Sequence, residues 1–161
     1  MFRIGEILDL AVRIEQNGEK TYRTARERFG DENLVELLSW MADEEARHAA
    51  WFGDLRRRVE SGRGNPFLEE MTRKVLDDLV AGRSFSLEEV DFAAIPDPAR
   101  LIEVFLGFEQ DTVLFYEILS SFVEEEATAR HLETIIAEER RHIERLEEVR
   151  RELEQAAEER R

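Results

Sequence analysis

The chain has 161 residues, 42% hydrophobic and 38% charged, with three prolines, eight glycines and no cysteine. That length suits one domain with a buried core, and that mixture suits helices with one apolar and one charged face. A formal charge of −15 would repel a phosphate backbone, so no nucleic-acid partner is expected, and the missing cysteine excludes disulfides, thiolate catalysis and thiolate-held iron–sulfur centres. The N-terminal MFRIGEILDLAVRIEQNGEK lacks the unbroken apolar segment of a signal peptide. No run approaches the ~18 apolar residues that cross a bilayer, so a soluble, cytoplasmic chain with no membrane contact is expected.

Four segments carry a helical repeat. In the first, Ile4, Leu8, Ala11, Glu15, Gly18, Tyr22, Ala25 and Phe29 recur at alternating steps of three and four, which is one helical face. Gly30 and Asp31 then supply a stop and an N-cap. The second stripe is Leu34, Leu38, Met41, Glu45, His48, Phe52, Leu55 and Val59, ended by SGRGNP at Ser61–Pro66. Asp97 and Pro98 open the third as cap and first-turn proline. Its stripe is Ile102, Phe105, Glu109, Thr112, Tyr116, Leu119 and Val123. The fourth is Leu132, Ile135, Glu139, His142, Leu146, Val149 and Leu153, starting near Glu124–Ala127 without a glycine to mark the boundary.

Between the second and third helices, Gly62–Pro96 holds a short helix over roughly 66–81 and a capping-box signal at Ser86-Leu87-Glu88-Glu89. Short turns elsewhere make neighbouring helices antiparallel, and the long middle piece carries the chain from one end of a bundle to the other. The expectation is one all-α domain, a four-helix bundle of ferritin-like topology. Hairpin one spans 3–61, the crossover 62–97 and hairpin two 98–155, with a charged tail at 156–161 that frays.

The chain also repeats itself. Glu15 and Glu109, Glu45 and Glu139, and His48 and His142 each stand 94 residues apart, as do Gln16 and Gln110, Tyr22 and Tyr116, Glu44 and Glu138, and Arg47 and Arg141. One hairpin is written twice, and the shared positions include polar residues on the apolar stripes. A lone Glu-x-x-His in a Glu-rich helix is ordinarily a surface pair. Here each motif lies on a stripe that should be buried, and each partner helix adds one more glutamate.

A buried, uncompensated carboxylate costs several kcal/mol, so four of them require positive charge. Four carboxylates carry −4, two ferrous ions carry +4, and two neutral imidazoles leave the set neutral. Carboxylate oxygen with one imidazole per metal suits Fe or Mn, with Zn a possible substitute. A glutamate from each of two helices plus Glu-x-x-His from each of the other two is the di-iron carboxylate constellation. The candidate metal ligands are therefore Glu15, Glu45, His48, Glu109, Glu139 and His142.

At these residues the chain resembles the rubrerythrin branch of the ferritin-like superfamily, through IEQNGEKTY with DEEARH and FEQDTVLFY with AEERRH. The resemblance implies Glu15 and Glu109 as terminal ligands, Glu45 and Glu139 as bridges, and one histidine on each metal. It also implies a cofactor of two Fe and two-electron reduction of peroxide or oxygen. Two features depart from that family. No cysteine is present for a rubredoxin-type electron donor, so an external donor, protein or small reductant, is expected. Thr112 stands where the family carries an extra carboxylate, which leaves peroxide and oxygen open as oxidant.

The expected function is thus a di-iron peroxidase or oxidase, expected as a homodimer. The alternatives are a ferroxidase of an iron-storage shell and a redox-silent metal scaffold. Tyr22 and Tyr116 would fill the core or donate hydrogen bonds near the metals. Glu44 and Glu138 would brace a ligand histidine or pair with a neighbouring arginine. His131 reads as a surface residue. Trp40 and Trp51 fall off the main stripe and would pack under the crossover or at a subunit contact, with Phe67, Phe92 and Ile95 giving the crossover apolar groups to dock.

Overall fold

The structure, a computed structural model, describes residues 4–59 and 94–161. The crossover helix at 66–81, the capping box at 86–89, the stop at 61–66, and Phe67 and Phe92 lie outside the described residues. Four α-helices account for the described chain: α1 Ile4–Arg26, α2 Glu32–Val59, α3 Pro98–Ser120 and α4 Glu126–Glu159. Two compact units divide it, one holding α1 and α2, the other α3 and α4. Within each unit the two helices pack along one another.

The caps fall where local chemistry puts them. Asp31 Oδ1 accepts from the Leu34 amide at 3.2 Å at the start of α2, satisfying one of the donors a helix leaves open. Asp97 Oδ1 accepts from the Ala99 amide at 3.0 Å, with Pro98 at the first helical position. The start of α4 is unlike these. Its N-cap, Glu125, makes no side-chain bond to the helix amides and instead accepts from Thr128 Oγ1 at 2.8 Å.

The stripes are the buried faces. Leu8, Ala11, Glu15 and Tyr22 of α1, and Leu38, Met41, Glu45, His48 and Phe52 of α2, are all nearly or fully inaccessible. The same holds for Ile102, Phe105, Glu109, Thr112 and Tyr116 of α3, and for Leu132, Ile135, Glu139, His142 and Leu146 of α4. Burying each large apolar side chain contributes ~1.5–3 kcal/mol. A second row, one residue before the stripe, is buried as well: Ile7, Ile14 and Thr21 on α1, and Leu101, Phe108 and Phe115 on α3. Seven-residue spacing adds this row to the first and widens the apolar face.

The ends differ from expectation in two ways. Phe29 and Val123 are half-buried and lie beyond α1 and α3. α4 runs to Glu159, past the boundary drawn at 155. Glu, Arg and Ala are strong helix formers, and Arg145–Glu148 and Arg150–Glu154 pair along the helix.

The repeat extends to the backbone. Ile4 and Pro98, Arg26 and Ser120, and Glu32 and Glu126 are each 94 residues apart, so both helices of the first hairpin start at the same phase as those of the second.

Candidate metal centre

In the first hairpin Glu15 lies midway along α1, and Glu45 and His48 lie midway along α2. Glu15 and Glu45 are 0% exposed and His48 2%. The helical step of three puts Glu45 and His48 on one face, and that face meets α1 at Glu15. His48 Nδ1 stands 3.5 Å from Glu15 Oε2. One ligand atom from each of the three lies within 4.8 Å of the others.

The second hairpin reproduces this. Glu109 on α3 and Glu139 and His142 on α4 are 0% exposed. His142 Nδ1 is 3.6 Å from Glu109 Oε1 and 3.1 Å from Glu139 Oε2, and one ligand atom from each again falls within 4.8 Å. Burial foremost, and then the neighbouring Glu139 charge, push the Glu109 carboxyl up from 4.5 to about 8, against the opposing pull of His142. Without a cation, Glu109 therefore holds a proton at neutral pH.

The residues fit the metals that this donor set suggests. Two ligands each ~2.1 Å from a shared ion and subtending 90–120° stand ~3.0–3.6 Å apart. The carboxylate–imidazole separations of 3.1, 3.5 and 3.6 Å lie in that range. All six side chains offer lone pairs, and each hairpin set of two carboxylates and one imidazole balances one divalent cation. Oxygen with a single imidazole per set suits iron.

The surrounding residues lock the helices of each hairpin together. Arg23 of α1 donates to Asp43 of α2 at 3.0 Å and to Glu19 at 3.1 Å. Arg26 donates to Ser39 at 3.2 Å, and Arg56 pairs with Asp9. In the second hairpin Arg140 pairs with Glu117. The stripe pattern did not reveal these bonds, because it marks the buried face and they run along its rim.

Glu44 is buried and pairs with Arg47 at 3.1 Å. Tyr22 and Tyr116 are fully buried. Thr112 is buried too, and its Oγ1 donates to the Phe108 carbonyl at 2.9 Å. His131 is exposed; Trp40 and Trp51 are half-buried, and Trp51 meets Phe52 edge-on at 5.1 Å. No helix among the described residues is long and apolar enough to cross a membrane.

Comparison with known proteins agrees with this picture. The family model for Rubrerythrin matches residues 6–81, a span that contains Glu15, Glu45 and His48. No curated protein matches the chain in sequence. A solved structure from Thermotoga maritima, described as a candidate ferritin-like diiron-carboxylate protein, is similar with a TM-score of 0.67. It is 22% identical, and the match covers 94% of this chain and 96% of that one. Likeness at that identity bears on the fold, and it agrees with the expected bundle. The chain is therefore rubrerythrin-like over its first half and has the all-α, ferritin-like four-helix fold.

Proposed function

We propose that this protein is a non-haem di-iron oxidoreductase that reduces hydrogen peroxide or oxygen by two electrons. The observation that carries the reading is the pair of buried Glu, Glu, His sets, one in each hairpin, with carboxylate–imidazole separations of 3.5 and 3.6 Å. Glu15, Glu45, His48, Glu109, Glu139 and His142 would together hold two iron ions. When bound, a diferrous pair supplies one electron from each ion, enough to take peroxide with two protons to two waters, or oxygen with two protons to peroxide.

The protein's part is to bind, to neutralise and to exclude water. Four carboxylates offset the charge of two ferrous ions, and Leu38, Met41, Phe52 and Phe105, on the same helical stripes as the ligands and all 0% exposed, make those stripes inaccessible to solvent. Glu109 gives up its proton when a cation takes the place of that proton. The Thr112 hydroxyl is committed to a backbone carbonyl one turn past Glu109. That position therefore supplies no further carboxylate to favour one oxidant. The two electrons of each turnover would come from an external donor, a protein or a small reductant.

The test is to load the protein anaerobically with ferrous iron, measure iron per chain, and mix it separately with peroxide and with oxygen while following near-ultraviolet absorbance. Two irons per chain and oxidation faster than that of free ferrous ion by at least one oxidant are expected. Failure to bind iron, or oxidation no faster than in buffer, would overturn the proposal.

A further inference from the structure

Met41 lies four residues before Glu45 on the buried stripe of α2, and both residues are 0% exposed. Side chains four apart on a helix have Cβ atoms about 5–6 Å from one another, and a long one leans over the turn before it, so Glu45 leans toward Met41. The chain has three methionines and no cysteine, and Met41 holds the one sulfur atom among the described residues. In the second hairpin Ile135 takes the same place, four before Glu139 and likewise buried. Isoleucine offers nothing to oxidise at that position. A thioether does, because peroxide converts it to the sulfoxide.

Either oxidant of the proposed function brings peroxide beside this sulfur, as substrate in one case and as the product of oxygen in the other. Burial keeps bulk peroxide from it. We infer that Met41 is a modification site, oxidised to the sulfoxide by peroxide held at the adjacent centre once both ions have given up their electrons. The sulfur donates an electron pair to one peroxide oxygen, the O–O bond breaks, and the second oxygen leaves with both hydrogens as water. The thioether loses two electrons and the peroxide gains two, so the step needs no other reductant. Its product puts a polar S–O group into the core of the first hairpin, one turn from Glu45, where burial penalises it. The modification depends on the centre acting as proposed above, and it belongs to protein whose electron donor is absent.

Three samples test it: wild type loaded anaerobically with ferrous iron, metal-free wild type, and Glu45→Ala given the same iron. Each is exposed to excess hydrogen peroxide without a donor, catalase ends the exposure, and tandem mass spectrometry of the tryptic peptides places every added oxygen. Fragment ions separate Met41 from its neighbour Trp40. Sulfoxide at Met41 should form several-fold faster in the iron-loaded wild type than in the other two. Equal rates in all three, or oxygen added to Trp40 in place of Met41, overturn the inference. Iron that is bound and rapidly oxidised while Met41 stays unmodified overturns it as well and leaves the proposed function standing. Wild type that binds no iron overturns both.

A second measurement holds even where Glu45→Ala fails to fold. The same exposure should lower the melting temperature of iron-loaded wild type by several degrees and leave that of Met41→Ile, which carries the residue of the second hairpin, where it was. An equal fall in both proteins overturns the inference.

Discussion

The two hairpins differ in their apolar residues and agree in their candidate ligands. At positions 94 apart, Ala11 faces the role of Phe105, Ile14 that of Phe108, Thr21 that of Phe115, and Met41 that of Ile135, and all eight are buried. Phe52 corresponds in the same way to Leu146. Glu15, Glu45 and His48 correspond to Glu109, Glu139 and His142 without change, and the Glu–His separation across each hairpin differs by 0.1 Å. A packed core asks for apolar character and a shared total volume, so its members trade places. A cation asks for particular lone pairs at particular distances, and no apolar side chain supplies them. The rim bonds follow the looser rule: the cation sits on α1 in Arg23–Asp43 but on α4 in Arg140–Glu117.

Stripping the metal should separate these two kinds of position most clearly. Binding of one ion at a thousandfold above its Kd adds about 4 kcal/mol to stability, so chelation should lower Tm by ~10 °C or more for a chain of this size. Glu45→Ala should lose metal while melting, metal-free, no lower than the metal-free parent, because a buried negative charge has gone. An unchanged melting curve after complete chelation would erase the distinction between ligand and core.

Phe105→Ala should cost ~3–5 kcal/mol through the cavity it opens, measured by denaturant unfolding of the metal-free protein. The Ala found at the corresponding position 11 shows that the residue type itself is not required there, only filled space. A cost under 1 kcal/mol would mean that the second hairpin collapses around the gap.

The charge on Glu109 gives a pH signature. Its folded-state value of about 8 lies above the ordinary 4.5, so the folded protein binds the extra proton. Metal-free stability should therefore fall as pH rises from about 4.5 to about 8 and level off on either side. Metal binding should strengthen over the same window, since it expels that proton. Thermal melts at stepped pH check the first trend, and Glu109→Gln should flatten it.

Smaller effects belong to the exchangeable positions. Met41→Ile, which borrows the residue of the other hairpin, should change stability by less than about 1.5 kcal/mol and leave metal content unaltered. Smallest of all, Gly107→Ala on an exposed turn of α3, where an added methyl meets nothing within 4 Å, should stabilise by about 0.5–1 kcal/mol through helix propensity. A rise in Tm of a few degrees would show it.

Much of the fold is legible in the sequence. Asp31 and Asp97 mark helix starts because a carboxylate at the N-cap satisfies open amides, a strictly local bond. The period of the apolar residues marks the buried faces, and the 94-residue repeat singled out six polar residues on them. Other features were not legible. The seven-residue row of Ile7, Ile14, Leu101, Phe108 and Phe115 merges with the main stripe in sequence and separates from ordinary surface only by burial. The α4 end at Glu159 carries no stop signal in the sequence, because its polar, charged composition reads equally well as solvated chain. The pairing of Glu44 with Arg47 depends on side-chain placement that the sequence pattern does not give.

Sequence by itself determined the helices, their duplication and the chemical identity of the candidate ligands, because periodicity, capping and residue type are properties of neighbours along one strand of chain. Tertiary structure alone decided that these ligands are sealed from water, that a carboxylate and an imidazole from different helices stand 3.5 Å apart, and that Glu109 keeps a proton to about pH 8. Those quantities arise from side chains tens of residues apart sharing one low-dielectric interior, where charge is costly and distance sets the energy.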